Sequence, residues 1–197
     1  MNGTDSSKLT EEELKLCEPY LDVSTFLNYA SLDNYSDYCL AYTFTARDFA
    51  DGTLGLAWVA KLSGSAGGVC EKRQFIQGVQ KSLNTGILTV VNYQSRVPEL
   101  VSMLTFAHEV AHNFGAEHDP NSDECSPGKT LGGNYIMYRS ATTGREKNNK
   151  NFSECSRNQM GPVLHSLVKN QPKFCFTSKF FVSIIIFFFV IIYFFYN

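Results

Sequence analysis

The sequence predicts a single α/β domain built from a mixed β-sheet, one long buried helix and a C-terminal helix. Three strand-like runs between positions 39 and 93 precede a run of apolar residues at helical spacing. A chain of 197 residues is long enough for one ordinary core and too short for two full domains. The net charge of −2 gives no basic excess, so nucleic acid is not expected as a partner.

The three predicted strands are rich in β-branched and aromatic residues. They are CLAYTFTARDF (39–49), TLGLAWVAKL (53–62) and GILTVVNY (86–93), separated by turn and loop residues. Upstream of them, TEEELKLCEPYLDVSTFLNYASL (10–32) predicts an amphipathic helix that is broken at Pro19 and followed by a second short segment.

The long helix is predicted from VPELVSMLTFAHEVAHNFG, whose apolar residues recur at intervals of four, three, four and three. Glu99 suits its first turn and Gly115 suits the position just beyond its end, so we expect a helix from about Glu99 to Phe114. A last helix is expected from Ser153, as its N-cap, to a point before Pro172.

Inside the long helix begins the motif HEVAHNFGAEH, which predicts a zinc site. Because His108 and His112 are four residues apart on a helix, both imidazoles project to the same side. Gly115 can adopt the left-handed conformation that ends a helix, which brings His118 back as a third ligand. Glu109 lies about 100° round the helix from His108, where it can reach a water as general base. Three ligands and one open position are typical of a catalytic zinc ion.

Histidines beside an apolar helix are often packed or surface residues without a metal, so chance has to be weighed. The full pattern HExxHxxGxxH arises by chance in roughly one chain of this length in 100,000, which favours the zinc interpretation. The fourth histidine, His165, lies outside the pattern and is expected at the surface.

Downstream, the stretch NYIMY places Met137 nineteen residues after His118. A zinc motif of this form followed by a methionine turn resembles the metzincins, and HEVAHNFGAEHD, with Asp119 directly after the third histidine, looks like their adamalysin branch. The segments CLAYTFTARDFADGTLGLAW, GGVCEK, KSLNTGILTVVNY and GNYIMY extend the likeness. From Cys39 to Phe176 the sequence resembles the catalytic domain of Kuzbanian-type ADAM proteases.

This resemblance implies a twisted mixed sheet over the active-site helix and endopeptidase activity on protein or peptide substrates, membrane-protein ectodomains among them. One zinc ion held by the three histidines would polarise the scissile carbonyl, while Glu109 moves a proton from water to the leaving amine. Met137 would form an apolar floor below the metal.

The resemblance also implies how a substrate is held and how the cysteines pair. The strand around Gly55 to Ala57 would be the edge against which an extended substrate pairs. YRSATTG, after the methionine, would form the wall of the pocket for the residue that follows the cleaved bond. Disulfides are implied between Cys70 and Cys175 and between Cys125 and Cys155. For the cysteine at position 39, two alternatives stay open: pairing with the one at position 17, or a free thiol.

The expected layout is a divergent segment over 1–38, a catalytic domain over 39–176 and a hydrophobic tail over 177–197. The domain is expected to be incomplete at its N-terminus, because the family places a further strand, helix and strand before CLAYTF. A second functional hypothesis is therefore a catalytically silent fragment that binds substrates or inhibitors through the edge strand and cleft.

The tail FFVSIIIFFFVIIYFFY (180–196) would span about 25 Å as a helix, against about 30 Å for a bilayer core. It predicts either membrane association or translated non-coding sequence, and its AT-rich codons favour the second. Family resemblance implies the membrane or the extracellular side of the secretory pathway, although the polar residues at the start of this chain lack a signal peptide.

Overall fold

Three helices and eight strands make up the described part of the chain, which comprises residues 21–62, 67–169, 175–176 and 185–187 of a computed structural model. The helices are α1 (Val23–Ala30), α2 (Glu99–Asn113) and α3 (Glu154–Lys169). The strands are β1 (Ala41–Thr45), β2 (Gly55–Ala57), β3 (Gln74–Ile76), β4 (Val79–Lys81), β5 (Thr85–Thr89), β6 (Val91–Asn92), β7 (Ser95–Arg96) and β8 (Ile185–Phe187). The predicted mixed α/β fold class is confirmed.

The main sheet has the strand order β2-β5-β1-β8. Strands β1 and β5 run parallel, with Ala41 opposite Thr85, and β8 runs parallel to β1 on its other side. Strand β2 is antiparallel to β5 and forms one edge of the described sheet. All five residues of β5 are buried, as expected for a central strand that carries GILT in its sequence.

The strands are shorter than the sequence predicts, and each difference has a local cause. The second ends at Ala57 because the chain beyond it bonds to a helix instead: the Ala60 N–H donates to the His112 carbonyl at 3.0 Å. The third stops at Thr89, and the chain then forms a separate hairpin, β6–β7, turning at Tyr93 and Gln94 with φ of 48° and 59°.

A second hairpin, β3–β4, was not predicted at all. It turns through Gln77 and Gly78, whose φ values are 49° and 85°, which matches the two left-handed residues of a tight hairpin turn. Its strands are only three residues long and largely exposed, so they lack the apolar alternation by which strands are recognised in sequence.

Helix α1 packs against the sheet through a core of Leu27, Phe49 and Ile87. Its N-cap is Asp22, whose carboxylate accepts the N–H groups of Ser24 and Thr25 at 2.9 and 3.0 Å. It corresponds to the second short segment of the predicted N-terminal helix, and the remainder of that prediction, over 10–20, lies outside the described residues.

Helices α2 and α3 lie close to their predicted limits. Helix α2 runs from Glu99 to Asn113, one residue short of the expected end, and Phe114 caps it. Helix α3 begins at Glu154 directly after Ser153, whose Oγ accepts the N–H of Ser156 at 3.0 Å, in agreement with the predicted N-cap.

The predicted hydrophobic tail lies mostly outside the described residues. Its one described piece is β8, which forms strand pairs with β1. Among the described residues, the structure contains no helix that is both apolar enough and long enough to span a membrane.

Candidate metal centre

Three histidine side chains converge at the C-terminal end of α2. The His108 and His112 rings lie one helical turn apart with centroids separated by 4.8 Å, and the His118 ring lies 5.1 Å from each. The Nε2 atoms of His108 and His118 are 3.1 Å apart. The motif's three histidines therefore come together as a group that could hold one metal ion.

Backbone carbonyl groups orient two of these rings. His108 Nδ1 lies 2.7 Å from the Ile136 carbonyl oxygen, and His112 Nδ1 lies 2.6 Å from that of Ala116. A carbonyl oxygen only accepts, so each Nδ1 carries the proton and each Nε2 is left with a free lone pair. Zinc-binding histidines commonly have their second nitrogen held in this manner, so the residues fit a zinc ion.

Burial keeps the three imidazoles neutral. It lowers the pKa of His112 to about 4, with a further contribution from neighbouring His108. Burial is also the main cause that lowers the pKa of His108 and of His118, and Arg139 adds to the effect on His118. Neutral imidazole is the form that binds metal, so the centre is ready to take up an ion near pH 7 without releasing protons.

Glu109 is 4% exposed and lies against the edge strand β2. Burial raises the pKa of its carboxyl group to about 8. Its Oε2 atom is buried without a hydrogen-bond partner among the described residues. A Cβ at Gly55 would lie 2.7 Å from Glu109 Oε1, so the carboxyl group occupies the space that this glycine leaves.

Gly115 turns the chain from α2 towards the third histidine. Its φ is 94°, its N–H donates to the His112 carbonyl at 2.9 Å, and the next N–H, of Ala116, donates to Ala111 at 2.9 Å. These bonds close the helix end in the left-handed turn that the sequence predicted. A Cβ at this position would come within 2.7 Å of Val163 in α3.

Met137 lies in a turn under the histidines and is fully buried. It packs with Ala111 and Ala116, which flank His112 and the turn that follows it. Its carbonyl accepts the N–H of Asp119 at 2.9 Å, and this bond ties the methionine turn to the residue after the third histidine.

Asn113, the last residue of α2, has a role that the sequence does not predict. Its side chain is fully buried and donates to the carbonyls of Trp58 at 2.8 Å and Thr85 at 3.3 Å, while its Oδ1 accepts the Tyr42 hydroxyl. It thus fastens the end of α2 to β1, β5 and the chain after β2. The signal available in the sequence was a polar residue at position 113, inside a motif whose other polar residues were mostly given roles at the metal site.

Asp119, which in the sequence indicates only the likeness to the adamalysin branch, connects the histidine site to α3. Its Oδ1 accepts the hydroxyls of Ser153 and Ser156, the latter at 2.7 Å. His165 is exposed on α3.

The five cysteines in the described part of the chain form two groups. Cys125 and Cys155 are joined in a disulfide with a Cα–Cα distance of 6.1 Å. Cys175 lies within bonding reach of Cys70, as implied by the resemblance, and equally of Cys39.

Comparison with known protein families places this site in a class. The model of the reprolysin-like metallopeptidases, family M12B, matches residues 16–166, a span that contains α1, all three histidines and most of α3. The chain belongs to this metallopeptidase family, and the resemblance inferred from the zinc motif is confirmed.

Individual relatives make the comparison more specific. The chain is 55% identical over 159 residues to disintegrin and metalloproteinase domain-containing protein 10 of Homo sapiens, and the alignment covers 77% of this chain and 21% of that protein. It is 50% identical over 169 residues to the Caenorhabditis elegans homologue of protein 10, and the alignment covers 83% of this chain and 18% of that protein. The disintegrin and metalloproteinase domain-containing protein 17 homologue of Caenorhabditis elegans is 36% identical over 150 residues. That alignment covers 69% of this chain and 22% of the relative. The chain thus spans about a fifth of the length of these relatives.

Proposed function

We propose that this chain is a zinc-dependent endopeptidase. The observation that carries the proposal is the arrangement of His108 and His112, whose Nδ1 atoms donate to backbone carbonyls. One ligand atom of each of these histidines and of His118 lies within 4.8 Å of the others. The buried carboxyl of Glu109 lies beside this group with one oxygen free of hydrogen bonds among the described residues. A metal-ligand set next to an available proton acceptor is what metal-assisted hydrolysis needs.

In the proposed mechanism, His108, His112 and His118 hold the ion. When bound, zinc supplies Lewis acidity that polarises the scissile carbonyl and makes water a stronger acid. Glu109 accepts the proton of the attacking water and delivers it to the leaving amine. Burial raises the pKa of Glu109 in the metal-free site, and the positive charge of a bound ion would lower it, so the carboxylate would be available to accept this proton.

Strand β2 is the proposed docking edge for substrate. In the described sheet it pairs only with β5, so its other side offers backbone groups to an extended peptide. Gly55 at its start lies next to Glu109, which brings a paired peptide close to the proposed base.

The segment 138–144 is the proposed wall of the pocket for the residue after the cleaved bond. Gly144 at its end lies against α2, where a Cβ would come within 2.6 Å of Leu100. Met137, immediately before the segment, forms the buried floor below the histidines.

The proposed substrates are ectodomains of membrane proteins, and the proposed location is the membrane or the extracellular side of the secretory pathway. The disulfide between Cys125 and Cys155 supports an oxidising compartment. The substrate class rests on the identity to the disintegrin and metalloproteinase relatives.

The experiment compares wild type with Glu109→Gln and Glu117→Gln. Each variant replaces one carboxyl group by an amide within the same motif, but Glu117 is exposed and serves as the matched control. Zinc content is measured by metal analysis and cleavage with a quenched peptide. We expect one zinc per chain in all three proteins, a loss of cleavage on the order of 100-fold or more for Glu109→Gln, and little change for Glu117→Gln. Stoichiometric zinc without cleavage above the Glu109→Gln level would instead favour the silent binding module.

A further inference from the structure

Away from the metal centre, three cysteines gather at one point. The sulfur atoms of Cys39, Cys70 and Cys175 all lie within 4.8 Å of one another. The Cα of Cys175 lies 5.3 Å from that of Cys39 and 5.2 Å from that of Cys70. Both separations fall within the range of about 4.4–6.8 Å that a disulfide requires. Cys175 therefore has two candidate partners, and a sulfur atom can form only one such bond.

The backbone keeps both partners in place. The N–H of Cys70 donates to the Cys39 carbonyl at 2.9 Å, and the N–H of Cys175 donates to the Cys70 sulfur at 3.1 Å. Since the two partners are already hydrogen-bonded neighbours, changing from one disulfide to the other needs movement of side chains rather than of strands.

We propose that this cluster is a thiol–disulfide exchange site, in which Cys175 bonds alternately to Cys70 and to Cys39. The thiolate of Cys39 attacks the sulfur of Cys175, a new S–S bond forms, and Cys70 leaves as a thiolate that takes up a proton. One disulfide and one thiol are present before and after the step, so no external oxidant or reductant is consumed.

The two arrangements expose different thiols. Cys70 is 3% exposed, whereas Cys39 is partly exposed. Bonding of Cys175 to Cys70 leaves an accessible thiol at Cys39, and bonding to Cys39 leaves a buried thiol at Cys70. Because an external reagent reaches a partly exposed thiol more readily than a buried one, Cys39 is the position that small electrophiles or disulfides would modify.

The cluster lies behind the end of the active-site helix. The N–H of Val69, next to Cys70, donates to the Asn113 carbonyl at 2.9 Å, and the ring of Phe176, next to Cys175, stacks on Phe114 with centroids 6.3 Å apart. Two of the exchanging cysteines, Cys70 and Cys175, are therefore each adjacent in sequence to a residue that contacts the C-terminal end of α2.

The test is disulfide mapping of the full chain purified without reductant. Free thiols are trapped with N-ethylmaleimide in acidic denaturant, and tryptic peptides are analysed by mass spectrometry. Cleavage at Arg47 and Lys61 separates Cys39 from Cys70. We expect two populations, one with Cys70 linked to Cys175 and Cys39 labelled, and one with Cys39 linked to Cys175 and Cys70 labelled.

Two matched variants sharpen the test. Cys39→Ser is expected to give only the disulfide of Cys70 with Cys175, and Cys70→Ser only that of Cys39 with Cys175. The disulfide of Cys125 with Cys155 should persist in both variants, which shows that the domain has folded. Because the mapping requires neither zinc nor cleavage, its outcome is independent of the proposed protease function.

Three results would overturn the proposal. One is a free thiol at Cys175 in folded Cys70→Ser. Another is wild type in which Cys70 holds all of Cys175, whether Cys39 is a free thiol or is bonded to Cys17. The third is a chain whose three clustered cysteines all label as thiols once a bound metal is removed, which would make the cluster a metal site.

Discussion

Single residues outside the ligand set decide whether the imidazoles face one another. The carbonyls of Ile136 and Ala116 fix the His108 and His112 rings, and both carbonyls belong to turns rather than to the helix that carries the histidines. Ring orientation therefore depends on the turn after α2 and on the methionine turn. Damage to either turn should weaken metal binding even with all three histidines intact.

The buried carboxyl of Glu109 should make the metal-free protein less stable as pH rises. The pKa is about 8 in the folded chain and about 4.5 ordinarily, so the folded state retains a proton that the unfolded state gives up. Stability then falls between these two pH values, by up to about 1.4 kcal/mol per pH unit. Glu109→Gln has no carboxyl proton to lose, so this decrease should be absent from the variant. In EDTA, the free energy of unfolding of the variant minus that of wild type should therefore increase from about pH 5 to pH 8. A difference that stays constant with pH in denaturant titrations would contradict this account.

Asn113→Ala is expected to destabilise the domain by several kcal/mol. The change leaves the hydroxyl of Tyr42 and the carbonyl of Trp58 without their buried partner, at a cost of about 1–3 kcal/mol for each unsatisfied group. It also removes one of two donors to the Thr85 carbonyl, which keeps its hydrogen bond from the Trp58 N–H. The exposed Asn121→Ala is the matched control and should stay within about 0.5 kcal/mol. Chemical denaturation measures the free energy of unfolding of both variants. Equal losses in the two would show that the hydrogen bonds of Asn113 do not stabilise the domain.

At the scale of elements, the proposed active site is the contact between α2 and the edge strand β2. Glu109 on the helix occupies the space beside Gly55 on the strand, and the chain beyond the strand bonds to the helix end through Ala60 and His112. The packing of α2 against β2 thus fixes the position of the proposed base relative to the proposed substrate-binding edge.

Gly55→Ala should reduce cleavage without removing the metal. The new Cβ would meet the end of the flexible Glu109 side chain at 2.7 Å, so the carboxyl group must move while the fold is retained. Gly161→Ala on α3 is the matched control, because its Cβ would meet nothing within 4 Å. We expect a fall of at least about tenfold in kcat for Gly55→Ala, with zinc content unchanged in both variants. Unaltered kcat in the Gly55 variant would disprove this positional role.

The sequence predicts some elements much better than others, for physical reasons. Helix α2 was located within one residue because its apolar period, its first turn and its terminal glycine agree. The hairpin β3–β4 escaped because its three-residue strands pair largely in solvent, and the role of Gly55 escaped because it depends on a residue 54 positions away. Local patterns reveal helix ends and ligand spacing, whereas contacts between distant elements need the fold.

At the scale of the whole molecule, the metal centre joins distant parts of the chain. The three histidines lie on α2 and the chain that follows it, the methionine turn lies between the two cysteines of the disulfide, and Asp119 connects both to the start of α3. A disulfide that closes the 30-residue separation between Cys125 and Cys155 should hold this loop against the site. The family match over residues 16–166 includes all of these parts.

The central claim is that three histidines, rather than the cysteine cluster, bind the zinc ion. X-ray absorption at the zinc edge of the purified protein tests it directly, because nitrogen and sulfur ligands differ in distance. We predict three imidazole nitrogens at about 2.0–2.1 Å, one fewer in His118→Ala, and no change in His165→Ala. A shell of sulfur atoms at about 2.3 Å would place the metal at the cysteines and contradict the account.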